Sequence, residues 1–154
     1  MLVALRDPHE ELRAAAGQAL GKIGPAALPE LIKTLDATDP VIVHALAGAI
    51  GRIGAPVDAK AVPGLVVALK HEVAQTREAC AQRAAGHPDR AAEMRAAKLN
   101  ACVRGSMVIS ALALAGQPGV KAASDFAKGG DEVARAYAEA VERAAKERKN
   151  TDED

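Results

Sequence analysis

Apolar residues recur along this chain at helical spacing. In residues 11–24 (ELRAAAGQALGKIG) they stand at Leu12, Ala16, Ala19, Leu20 and Ile23, separated by 4, 3, 1 and 3 residues, which is one face of a helix. Asp7-Pro8 in front, with Glu10 three residues after Asp7, predicts an N-terminal cap and a first-turn proline. Gly24 predicts the end of the helix, and Pro25 prevents its continuation. The same set returns 30 positions later as Ile42, Leu46, Ala49, Ile50 and Ile53, between Asp39-Pro40 and Gly54. It returns again 121 positions after the first as Val133, Tyr137, Ala140, Val141 and Ala144. A helix this short cannot bury its face alone, so the pattern predicts stacking of repeated units.

Shorter helices precede these faces. Ala27-Leu28-Pro29 opens one in LPELIKTL, and Ala61-Val62-Pro63 opens the next, giving a period of about 30 to 34 residues, that of a solenoid. The third unit is irregular. Leu69 to Leu112 covers 43 residues where the corresponding Leu35 to Ile50 covers 15, an addition of 28. The strongest breaker in that addition is Gly86-His87-Pro88-Asp89 near its middle. Both helices of the unit are therefore expected to be lengthened, forming a hairpin over about 62–115 that projects roughly 20 Å. Val66, Leu69, Val73, Thr76 and Cys80 give the outgoing arm a stripe, facing Ala92, Ala96, Leu99 and Val103 on the returning arm. A final unit has a short helix around 120–127 and a charged last helix, whose Arg135, Glu139, Glu142, Arg143 and Lys146 suit a terminal cap.

With its Leu-Pro openings, Asp-Pro turn and the Ala-Leu-Gly-x-Ile-Gly ending at 19–24, approximated at 49–54, the chain resembles the HEAT repeat. The likeness is to the short bacterial form also found in phycobilisome lyase-like proteins, and it covers the first 69 residues best. Arg13 fits the family's arginine slot in the second helix, whereas Val43 does not. The resemblance implies an all-α, right-handed α-α superhelix, an armadillo-like solenoid of about 3.5 helical pairs with one elongated hairpin. The repeat domain is expected over 1–145, followed by a polar tail at 146–154. Close-packed columns should run through Ala19, Ala49, Ala111 and Ala140, beside Leu20, Ile50, Leu112 and Val141.

Composition narrows the function classes. Only Tyr137 and Phe126 are aromatic, and 20 basic residues balance 20 acidic ones. The balance removes a whole-surface argument for binding nucleic acid or an anionic membrane. Cys80 and Cys102 form no disulfide framework, which suggests a reducing, cytoplasmic compartment. No apolar run reaches the roughly 18 residues expected of a membrane-crossing helix.

Catalytic signals are weak. His9-Glu10 and His71-Glu72 resemble the iron-binding pairs of the HEAT-like deoxyhypusine hydroxylases but stand in the wrong register. His71, Cys80, His87 and Cys102 match no zinc-finger or knuckle spacing. The expectation is a protein-binding scaffold without cofactor or catalytic activity, a metal-dependent enzyme being the remotest alternative.

Three contact surfaces are candidates. Because HEAT-like second helices line a concave side, the resemblance implies a groove along Ala14, Gln18 and Lys22, then His44, Gly48 and Arg52. Gly17, Gly21, Ala47 and Gly51 would leave it almost bare of side chains; equally, such residues would relieve crowding between helices. The hairpin is the second candidate. Residues 70–104 carry seven basic against four acidic residues, and Arg77, Arg83, Arg90, Arg95 and Lys98 could meet an acidic protein or nucleic acid. The third is the first end, where Leu2, Val3 and Leu5 read as the last turn of a helix. An uncapped end exposing Leu2, Leu5 and part of the Leu12 face would suit self-association, or the C-terminal part of a longer array.

Overall fold

The computed structural model of the chain describes residues 3–35 and 39–151, and no β-strand occurs among them. After a tight turn at Ala4–Arg6 come α1 (Glu10–Ile23), α2 (Leu28–Thr34) and α3 (Pro40–Ile53). The long α4 (Val62–Ala85) is followed by α5 (Ala91–Gly105), α6 (Met107–Leu114), α7 (Gln117–Ala127) and α8 (Glu132–Thr151). Helices α1, α3, α6 and α8 stack side by side as one layer. Across them, α2 packs on α3, α4 on α3 and α6, and α7 on α6 and α8. This is the expected all-α helical solenoid.

Local sequence explains most helix ends. Asp39 accepts a hydrogen bond from Val41 N (2.8 Å) and Pro40 occupies the first turn of α3, while Gly54 ends the helix in the left-handed region at φ 72°. Asp7 acts differently from expectation. Its carboxylate accepts from His9 N (2.9 Å), so α1 starts at Glu10, and Arg13 Nη1 donates to the carbonyls of Asp7 and Pro8 (2.8 and 2.9 Å).

The core follows the repeat. Leu20, Ile50, Leu112 and Val141 are all buried, with Ala49 and Ala111 sealed between them and Ala19 and Ala140 half-buried in the end units. Each buried Leu, Ile or Val contributes about 1.5–3 kcal/mol by leaving water. Helices approach closely where no Cβ intervenes. A methyl group on Gly51 would overlap the Met107 carbonyl, and one on Gly119 would overlap the Leu112 carbonyl.

Several expectations need correction. The hairpin exists, turning through Pro88–Arg90, but its returning arm is not one helix: α5 and α6 are bent by 50° at Gly105-Ser106. Ser106 is extended at ψ 118° and its Oγ accepts from Ile109 N (3.2 Å), so it starts a new helix. Of the stripe predicted on that arm, Leu99 is buried and Val103 half-buried, whereas Ala92 and Ala96 face solvent. On the outgoing arm Leu69, Val73, Thr76 and Cys80 are buried as the stripe predicts, and α4 in addition touches α8. Helix α8 continues through Thr151, and Arg148 Nη2 donates to the Gly54 carbonyl (2.8 Å); the described part of the expected tail is thus helical.

The first end differs most. Leu5, expected to be exposed, is 0% exposed, because the Ala4–Arg6 turn folds against α1 and α3 and plugs the core at that point. Leu2 lies outside the described residues. The apolar groups left open there are Val3 (83% exposed), Leu12 and Ile23 (50% each), the face of Leu12 being open in part as expected.

A candidate binding groove walled by the long helix

Helices α1, α3, α4 and α6 enclose an open groove of about 360 Å³. One side is Arg13 and Ala14 of α1, and the floor is His44, Gly48 and Arg52 of α3, spaced four residues apart and hence aligned along one face. The opposite wall is His71, Glu72 and Gln75, from the lengthened part of α4. Met107 and Val108 close the end at the bend where α6 begins. The inserted residues, read from sequence as a separate projection, therefore build part of the groove.

The groove gathers Ala14, His44, Gly48 and Arg52 from the predicted set, while Gln18 and Lys22 are exposed on α1 and do not line it. Nor is it smooth. The Arg52 side chain lies along the small residues, so that Cβ atoms added at Gly17, Gly21 and Gly48 would stand 3.4, 3.1 and 3.3 Å from it. Ala47, Gly17 and Gly48 are buried. The small residues thus serve packing between helices and give room for the arginine stem. The guanidinium makes no hydrogen bond or ion pair among the described residues.

Beneath the α4 wall lies a polar network that sequence reading missed. Ser106 Oγ donates to Glu72 Oε2 (3.0 Å), and the Tyr137 hydroxyl donates to Glu72 Oε1 (3.3 Å). With that proton directed at Glu72, Thr76 Oγ1 donates to the Tyr137 oxygen at 2.9 Å. His44 Nε2 stands 3.5 Å from Glu72 Oε2, and its ring is tilted against that of His71 at 5.6 Å. Tyr137 is wholly buried, Glu72 only 14% exposed at its side chain, and every buried side-chain polar atom among the described residues has a partner. Burial, foremost, pushes the Tyr137 phenol far above its ordinary range. Burial also pushes the His71 imidazole down, with nearby His44 adding to the effect. A second hollow of about 350 Å³, floored by Tyr137 and Cys102, continues the groove past Glu72. Thr76, a polar member of an otherwise apolar stripe, and Tyr137, the one tyrosine, were the available signals.

The hairpin cations are scattered. Arg77 pairs with Asp131 through two bonds (2.6 and 3.0 Å), tying α4 to the start of α8, and Arg90 pairs with Glu93 (2.9 and 2.6 Å). Arg83 and Lys98 flank a shallow hollow of about 650 Å³ between the arms, and Arg95 is exposed. His71, Cys80, His87 and Cys102 are not assembled as ligands: no group of three or more His, Cys, Asp or Glu placed to hold a metal occurs among the described residues. Nor is any single helix among them long and apolar enough to cross a membrane.

The sequence model for HEAT repeats matches residues 1–86, more than half of the chain. The chain belongs to the HEAT-repeat family. No curated protein and no solved structure matches it. In this HEAT-repeat protein the matched part ends at Gly86, the tip of the α4 arm, so it includes the α1, α3 and α4 sides of the groove. HEAT repeats generally mediate protein–protein interaction. The bend, α6 and the final unit lie beyond the match.

Proposed function

We propose that the protein is a non-enzymatic scaffold of the short bacterial HEAT-like kind, binding a segment of a partner protein in the groove between α1, α3, α4 and α6. The observation that carries this reading is the Arg52 guanidinium, unpaired among the described residues, on a groove floor otherwise made of Gly48 and His44, facing a wall tied together by the Glu72 network. A groove of this form admits a helix or extended segment, and Arg52 supplies a point of polar recognition. The hairpin serves mainly as wall, since two of its candidate cations are already paired within the protein. Two unpaired thiols suit a reducing, cytoplasmic setting.

The test is to fill the groove without disturbing the core. A Cβ at Gly48 meets only the flexible end of Arg52, so the side chain of Gly48→Trp enters the groove by displacing that end, and thermal unfolding verifies that the buried α1–α3 contact is kept. Partners that co-purify with the wild-type protein from its native cells should be lost from Gly48→Trp and weakened by Arg52→Glu, with helicity unchanged. Retention of every partner by both folded variants would refute the groove as the binding site.

A further inference from the structure

A second surface lies on the other side of α1 from the groove. At 100° per residue, Leu12, Ala15, Ala19 and Ile23 share an arc of about 80°, with Glu11, Gln18 and Lys22 along one flank. Leu12 and Ile23 are each half-exposed, Ala15 is exposed, and Glu11 and Lys22 make no hydrogen bond or ion pair among the described residues. The corresponding positions of α3, Ile42 and Ile53, are covered more fully, because α2 and α4 pack on that helix.

We infer that two copies of this chain associate through this face, with α1 of one antiparallel to α1 of the other about a twofold axis near Gly17. The pattern is self-complementary. Reversing the helix brings Leu12 beside Ile23 of the second copy, and Glu11 beside its Lys22. Symmetry makes each of these contacts twice. The small Ala15 and Ala19 flank the axis, allowing the helices to approach to about 8 Å. A parallel twofold arrangement would put the two Glu11–Lys22 flanks on opposite sides of the seam, out of reach of each other, so charge favours the antiparallel one. The face is narrow, which makes it a reversible contact below the about 1,200 Å² of stable interfaces. It leaves Arg13, Ala14 and Arg52 free, and both grooves of the dimer stay open.

Sedimentation equilibrium of the full chain at low salt tests the inference. The wild type should show a monomer–dimer equilibrium, and Leu12→Glu should abolish it. Glu11→Lys or Lys22→Glu alone should weaken dimerisation about tenfold, since each places like charges together at both symmetric contacts. The double variant Glu11→Lys/Lys22→Glu should recover the wild-type constant to within a fewfold. A wild type that stays monomeric overturns the inference, leaving the face for a different protein. So does a dimer that survives Leu12→Glu, or a double variant no better than the singles. The three substituted side chains are exposed, and circular dichroism verifies that each variant folds.

Discussion

Removing one oxygen atom from Tyr137 should destabilise the protein measurably, although the side chain keeps its ring and its burial. The hydroxyl accepts from Thr76 at 2.9 Å and donates to Glu72 at 3.3 Å. Tyr137→Phe leaves the buried Thr76 hydroxyl without that acceptor and takes one of the donors from the Glu72 carboxylate, which keeps Ser106. A net neutral hydrogen bond contributes about 1 kcal/mol, one to a carboxylate about 1.5–3 at good geometry, and the longer distance argues for the lower figure. Part of the loss is offset because the phenylalanine ring prefers the apolar interior. The expected cost is about 2 kcal/mol, seen in urea unfolding as a lower midpoint at unchanged slope, or as a fall of roughly 4–8 °C in Tm. Thr76→Val should cost less, and the pair should couple by about 1 kcal/mol in a double-mutant cycle. A Tyr137→Phe protein as stable as wild type, or strictly additive single changes, would refute the network as a stabilising unit.

Three further outcomes follow from packing and protonation. Gly51→Ala should cost about 1–3 kcal/mol or more by driving a methyl into the Met107 carbonyl, whereas Gly48→Ala should be neutral or stabilise by up to about 1 kcal/mol, because only the mobile Arg52 end is in its way; thermal unfolding of the two compares them directly. Thiol titration of the native protein should show Cys102, half-buried, reacting well before Cys80, which is 2% exposed and whose thiol is pushed up chiefly by burial; equal rates would contradict this. The His71 imidazole is held below its ordinary 6.5 in the folded state, so the unfolded chain binds more protons between the two values. Its contribution is complete above about pH 6.5 and declines as pH falls through the folded value, and His71→Asn should flatten the stability profile between pH 7 and 5. Asp7, Asp125 and Asp131, held below 3.8 mainly by hydrogen bonds from His9, Lys128 and Arg77, act only at lower pH.

The spacing of Leu12, Ile42 and Val133 made the repeat and the helix order legible, because short helices must share faces. Periodicity locates a face, however, without saying what covers it. Leu12 and Ile23 keep the apolar register of Ile42 and Ile53 and yet stand half in solvent, since no helix corresponding to α2 packs on α1 among the described residues. Gly51 read equally as a bare groove position or as relief of crowding, and its contact with Met107 depends on an α3–α6 approach that no local signal encodes. The bend at Ser106 was hidden for a related reason. An insertion of 28 residues gives only a length, and one serine hydroxyl accepting from Ile109 N redirects the chain toward the groove. Half of the groove was visible as the aligned His44, Gly48 and Arg52. The other half, His71 to Gln75, depended on where α4 crosses α3.

The most direct test of the groove is to place a photo-reactive amino acid at Ala14, on its rim, and in parallel at Lys33, exposed on α2. Illumination in the native cell should join the position-14 variant to a partner protein at a discrete mass, with the cross-link lost when Gly48→Trp is added and absent from the position-33 variant. Cross-linking from position 33 but not from position 14 would place the partner on the outer face and contradict the account.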